Sequence, residues 1–324
     1  MKDKDKENIL INDPINQTKL YGYDIYFSFF IELFKSKKMH NKILLSGPKG
    51  SGKATFAYHF INYLLSKKEE NPYDFKNFNI NETNSSYKFL CSNIHQNFFL
   101  IDVLENDKSI KIDQIRNLIT FINKTTYSQN IKIVLIDNVE LLNLNSSNAV
   151  LKVLEEANDN TYFFLVHNSY TKILETIKSR CTEFKFFFTK EEKEKIFNKI
   201  SSQYELININ KKTIDDLYFD TPGNMIRYCV FFQNQNLDFS ENSLDFINFL
   251  IDNYSRYKNS ETLNQIAFFI EMHYNKLSLV KKNFLPNFFY NYSKILSYLH
   301  HMKKYNLSDR NILTSIKNIL VYEK

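Results

Sequence analysis

Gly47-Pro48-Lys49-Gly50-Ser51-Gly52-Lys53-Ala54 carries three of the chain's five glycines between Gly47 and Gly52. It lies between a short apolar run, Ile43 to Ser46, and a helix-like segment, Ser51 to Ser66. The chemistry that needs such a turn is phosphate binding. Backbone N–H groups must point inward, and side chains there would block the approach. Lys53 would reach the β- and γ-phosphates of a nucleotide, so ATP or ADP is the cofactor class expected. The residue after Lys53 is Ala54, so the hydroxyl that normally ligates Mg²⁺ is missing. Thr55, one position on, is rotated by about 100° around the helix. Two readings stay open: a nucleotide site with weakened Mg²⁺ binding, or a Gly-rich turn that once bound nucleotide and now only packs.

A second candidate is Asp137, at the end of the apolar run Ile133-Val134-Leu135-Ile136. An Asp there can hold Mg²⁺ directly or through water. The next residue is Asn138, and an amide cannot act as a general base, so hydrolysis by this chain is doubtful. Glu140 is expected on the wrong side of the turn. The bland alternative for Asp137 is a buried strand whose terminal Asp caps the next turn. Asp102 and the pair Glu155-Glu156 read as solvated helix charges. Neither a Ser-His-Asp nor a Cys-His arrangement stands out.

These residues need a sheet to position them. Ile43–Ser46, Asn97–Val103, Ile131–Ile136, Thr161–Val166 and Thr182–Phe188 read as strands. Helix-period segments between them include Ile112, Ile115, Leu118, Ile119 and Ile122, and Asn148–Glu156. The alternation argues for a parallel α/β sheet. Lys67–Ser92 is polar and Asn-rich and reads as an insertion or long loop. After Phe188 only helix-like segments follow: Lys190–Ser201, Lys211–Asp220, Asn224–Phe232, Ser243–Tyr257, Glu261–Leu277 and Pro286–Lys304. Boundaries are placed near 188 and 238.

Further elements carry a resemblance. Asn168 begins a polar turn after the fourth strand, and Ser179-Arg180-Cys181 precedes the fifth. Asn148-Ala149-Val150-Leu151-Lys152-Val153-Leu154-Glu155-Glu156 and Ile112–Ile119 lie upstream. In order and spacing, about Tyr21 to Phe188 resembles the clamp-loader branch of the AAA+ ATPases. The resemblance implies a P-loop, doubly wound parallel sheet over residues 1–188. It also implies a helical lid over 189–238 and an all-helical collar over 239–324.

It further implies a replication role. The expected partners are ATP-hydrolysing motor subunits, a clamp-opening subunit, the sliding clamp and primed DNA, in a five-subunit ring. Having lost the loop hydroxyl and the catalytic Glu but kept Ser179-Arg180-Cys181, the chain is most similar to members that donate an arginine and hydrolyse little. Arg180 would then be a finger acting in trans, and Asn168 a sensor near a γ-phosphate. An always-charged planar fork suits that task, and five arginines stand against a heavy excess of Lys. The alternatives are a structural salt bridge for Arg180 and a turn cap for Asn168. Arg227 resembles a second sensor with its register off by one. His40 matches a family position without assigned chemistry. DNA contact would fall near Asn145–Asn148. The four-cysteine zinc module of many members is missing, so no zinc is expected.

Composition sets the outer bounds. The chain has 324 residues, 43% hydrophobic and 24% charged, as in an ordinary globular protein of two or three domains. A net charge of +6 permits an acidic partner but does not identify one. Abundant Asn, Lys, Ile, Phe and Tyr resemble the bias of an A·T-rich genome, so the rare residue types carry more weight. No apolar run approaches the roughly 18 residues that span a bilayer. Met1–Asn8 reads as a frayed polar tail without the pattern of a secretory signal. Cys91, Cys181 and Cys229 are too dispersed for a metal knuckle and read as free buried thiols in a reducing cytoplasm.

Overall fold

Continuous apolar runs, buried on both faces, build the sheet. In the computed structural model, five parallel strands lie in the order β2-β3-β4-β1-β5. They are β1 Lys42–Gly47, β2 Phe98–Ile101, β3 Lys132–Ile136, β4 Thr161–Asn168 and β5 Thr182–Lys185. The structure describes residues 9–104, 107–124, 131–206, 220–235, 243–257, 260–280, 285–305 and 309–321. Successive side chains on a strand face opposite ways, and here both faces are covered. Ile43, Leu45, Ile133, Leu135, Phe164 and Val166 face one core. Leu44, Val134, Ile136, Phe163 and Leu165 face the other. The first core is closed by α1 (Asp24–Lys35), α2 (Lys53–Leu65) and α3 (Ser85–Cys91), and the second by α4 (Ile112–Asn123), α5 (Leu144–Glu156) and α6 (Glu175–Lys178). Helices on both faces of a parallel sheet define the α/β doubly wound class.

The chain divides into two compact units, Met1–Leu206 with Tyr218–Val230, and Ile207–Leu217 with Phe231–Lys324. The first also holds α7 (Lys190–Gln203), which begins with a capping box between Thr189 and Glu192. Helix α8 (Pro222–Gln235) follows. The second unit contains α9 (Ser243–Tyr257), α10 (Ser260–Val280), α11 (Leu285–Tyr305) and α12 (Asp309–Val321). Ile247, Leu250, Ile266, Phe269, Ile295 and Ile316 are buried there. Lys317 pairs with Asp252 at 2.6 Å, linking α12 to α9.

Several sequence expectations change. Lys67–Ser92 is no plain loop: it contains α3 and buries Tyr73, Ile80 and Leu90 against the first core. Glu69 accepts from the Ser85 and Ser86 backbone N–H groups, and His59 lies within hydrogen-bonding distance of Tyr73 Oη. Local polar residues tie the segment down, which a count of polar composition misses. Helix α5 starts at Leu144, with Asn143 Oδ1 accepting from Ser146 N, so Asn145 and Asn148 lie inside it. Of the three cysteines Cys229 is buried, Cys181 partly so and Cys91 exposed. Met1–Asn8 and nearly all of Lys211–Asp220 lie outside the described residues.

Phe56 ties α2 to the core through ring contacts with Tyr23, Phe27, Phe30, Phe60 and Phe186. We expect Phe56→Ala to destabilise the chain by about 3–5 kcal/mol in urea unfolding. A change below about 1 kcal/mol would contradict this packing.

Candidate functional site

The parallel register assembles the site before any side chain does. Gly47, last in β1, pairs with Asn168, last in β4. Asp137 follows β3 directly, and its N–H donates to Ile101 O at the end of β2. Four strands therefore deliver their C-terminal ends to one edge, where ligands bind in open α/β sheets.

The loop from Gly47 to Lys53 turns over this edge. Gly50 and Gly52 have φ of 82° and 90°, conformations that strain any residue with a Cβ. The loop is held from both flanks. Tyr23, fully buried, donates to Ser51 O at 2.9 Å. Opposite, Thr221 Oγ1 donates to Lys49 O at 2.9 Å, and Gly223 N to Gly50 O at 3.0 Å. A Cβ on Gly223 would lie 2.5 Å from Gly50 O, and one on Gly50 would strike Thr221 Oγ1 and Asn224. Two glycine backbones thus touch where α8 meets the loop. Sequence reading missed Tyr23, Thr221 and Asn224. The signal for α8 was present in the rarity of glycine, since Gly223 is one of only five.

Lys53 is 5% exposed. Its ammonium donates to Gly47 O at 2.9 Å and Pro48 O at 2.6 Å. Burial pulls its pKa down to about 8, against the pull of the Asp137 and Glu140 charges. Asp137 is pushed up to about 7 by burial and by the neighbouring Asp102, opposed by a bond from Asn138 N and by Lys53. These groups suit a phosphate: glycines without side chains and a desolvated ammonium. They suit Mg²⁺ less well. Ala54 offers no ligand, and burial holds Asp137 toward its neutral form.

Two carboxylates stand differently from expectation. Asp102 is no solvated helix charge: it follows β2, and its Oδ1 accepts from Asn138 Nδ2 at 2.8 Å and Val103 N at 2.7 Å. Glu140 is not on the wrong side of the turn, because its Oε2 accepts from Asn168 N at 3.2 Å. A 3-10 turn, Val139–Leu141, carries it back toward β4. Asn168 Oδ1 itself accepts from Tyr170 N at 3.3 Å, the turn-cap arrangement. Beside it His167 lies between Ser46 Oγ (3.3 Å) and Thr171 O (3.0 Å).

Thr55 lies one residue beyond Ala54 on α2 and is partly buried. Arg227 is exposed on α8. Arg180 stands apart, in the turn between α6 and β5, where its N–H donates to Ile177 O. Its side chain engages Glu155 and the Thr176 carbonyl.

A phosphate loop after β1, an acid after β3 and a polar residue ending β4 of a doubly wound sheet define a P-loop protein of AAA+ type. The family described as DNA polymerase III, delta subunit, matches residues 23–211, and the chain belongs to that family. It is a delta-prime-like clamp-loader AAA+ protein. It is 32% identical to the DNA polymerase III subunit delta' of Pseudomonas aeruginosa over 140 residues, 43% of this chain and 41% of that protein. It is 29% identical over 219 residues to the delta' subunit of Buchnera aphidicola subsp. Baizongia pistaciae, 64% of this chain and 62% of that one. The chain therefore spans less than two thirds of either relative. Among solved structures, a DNA polymerase III gamma subunit-related protein of Thermotoga maritima aligns over 90% of this chain and 97% of its own, at a TM-score of 0.42 and 16% identity.

The titrations of Asp137 and Lys53 have signs that can be checked. Asp137 keeps its proton more tightly folded than unfolded, so its contribution is present below about 4 and is lost as pH rises to about 7. Lys53 holds its proton less tightly when folded, so its contribution is full above 10.5 and is lost as pH falls through about 8. We expect Asp137→Asn to flatten the stability profile between pH 4 and 7, where the slope is at most about 1.4 kcal/mol per pH unit. Urea titrations across that range measure it, and an unaltered slope in the variant would refute the assignment.

Proposed function

We propose that this chain works as a delta-prime-type subunit of a DNA polymerase III clamp loader. In this role it helps load the sliding clamp onto primed DNA and donates Arg180 to a neighbouring subunit's ATP. One observation carries the reading: the home site keeps its phosphate loop but lacks the means to hydrolyse. Ala54 removes the Mg²⁺ hydroxyl, and the Asn138 amide is bound to Asp102 where a base would stand. Arg180, by contrast, keeps an exposed guanidinium on a turn far along the chain. An arginine there can aid catalysis only if another subunit brings phosphate to it.

The expected assembly is a hetero-pentameric ring with gamma/tau motor subunits and a delta subunit, acting on primer-template DNA in the cytoplasm. Residues 1–188 would be the P-loop domain, 189–238 the lid and 239–324 the collar that holds the ring. No helix among the described residues is long and apolar enough to cross a membrane. In the home site Gly47, Gly50, Gly52 and Lys53 would hold the phosphates of ATP or ADP, which would supply the anion that compensates the buried ammonium. Ala54 and Thr55 would contribute little to Mg²⁺, Asp137 would approach it only when ionised, and Asn168 would face the γ-phosphate side.

Two measurements test the home site. The isolated chain should hydrolyse ATP no faster than Lys53→Ala. Millimolar ATP or ADP should raise its melting temperature by mass action, equally with and without Mg²⁺. Robust turnover abolished in Lys53→Ala, or no thermal shift, contradicts the corresponding half of the reading.

Arg180 is tested in a ring whose motor subunits are wild type. Arg180→Ala should assemble normally while DNA- and clamp-stimulated ATPase falls by about 10²-fold or more. Arg180→Lys should rescue poorly, because an ammonium lacks the planar fork. Unchanged turnover in Arg180→Ala would make the residue a structural one.

A further inference from the structure

Arg180 does not wave freely. Its Nε donates to Glu155 Oε1 at 2.7 Å, and Nη2 pairs with that same oxygen. Its Nη1 donates to Thr176 O at 2.9 Å. A guanidinium has five N–H donors. Two are taken in hydrogen bonds, one on Nε and one on Nη1, and Nη2 lies in ion-pair contact with Glu155, so both terminal nitrogens keep donors to spare. Donors left on the two terminal nitrogens can meet two oxygens of a phosphate. The two anchors come from different elements, Glu155 near the end of α5 and Thr176 in α6. The Arg180 and Glu155 side chains are 36% and 51% exposed, so the contact lies at the surface and fills no core.

We propose that Glu155 is a positioning residue for Arg180, holding the guanidinium by its side so that the terminal fork faces outward. The proposal rests on the reading of Arg180 as an arginine that acts on a neighbour's phosphate. A free arginine samples many rotamers, and that freedom is lost when it meets its target. Anchoring by Glu155 and Thr176 moves the loss to folding, which leaves the fork oriented before the phosphate arrives. An opposing effect exists, because the Glu155 charge weakens the field of Arg180. At a half-exposed site water screens that charge, whereas orientation is set by short, directed bonds. Orientation therefore wins, and it fixes the sign of the test.

The test uses the assembled loader with wild-type motor subunits and reads DNA-stimulated ATPase. Glu155→Ala should lower kcat roughly five- to tenfold without changing KM for ATP. Glu155→Gln, whose amide oxygen still accepts, should fall between it and the wild type. Adding Glu155→Ala to Arg180→Ala should cause no further loss, since a residue acting through Arg180 has nothing left to position. The melting temperature of each isolated variant should stay near that of the parent chain. If Arg180→Ala is crippled while Glu155→Ala is unchanged or faster, positioning is overturned and the trans-acting arginine stands. An equal loss from Glu155→Ala with and without Arg180 makes Glu155 an independent brace and also overturns it. If Arg180→Ala turns over normally, the reading of Arg180 fails and this proposal falls with it.

Discussion

A desolvated ammonium at the C-terminal edge of a parallel sheet is the constraint on which the rest of the site depends. Lys53 cannot be buried there without acceptors, and a tightly turned loop supplies them as its own carbonyls. That turn demands positive φ at Gly50 and Gly52. Glycine meets that demand without strain but stiffens nothing, so the loop is held from outside. Tyr23 holds it on one flank, and Thr221 with Gly223 on the other. Residues nearly two hundred positions apart in sequence thus share one task. Four of the five glycines serve it: three sit in the loop and a fourth touches it.

The electrostatics follow from the same burial. The sheet register brings the ends of β1, β3 and β4 together, so Asp137 and Glu140 fall within reach of Lys53's field. Burial pushes the cation and the acid toward their neutral forms, while their mutual attraction pulls both back. An arriving phosphate would favour the charged lysine and disfavour the charged aspartate.

Much of this was legible in the sequence because period and rarity are strong signals. The five strand runs, the loop at Gly47 and the acid at 137 each stand on a local pattern, and local patterns survive folding. What escaped was long-range or polar. Glu140 looked misplaced because a helix or strand projection puts it away from Asp137, whereas a 3-10 turn returns it to β4. Asp102 looked like a surface charge because nothing local marks the end of β2 as adjacent to the end of β3. Lys67–Ser92 looked like a loop because its order comes from Glu69, Asn84 and His59 bonds and not from an apolar period. The Glu155 anchor on Arg180 spans 25 residues and has no periodic trace at all.

The Asp102–Asn138 pair gives a physical reason for an amide at this position. Asn138 has φ of 53°, and Asn adopts that left-handed conformation at lower cost than Glu. Its amide donates to Asp102 Oδ1, while its backbone N–H donates to Asp137 Oδ1. A carboxylate at 138 would remove the first of these bonds and add a negative charge beside two others. Asp137, already at about 7, would be driven higher still. An amide at 138 therefore settles both the neighbouring acids and the backbone. For the fold, the amide is the more stable choice at this position.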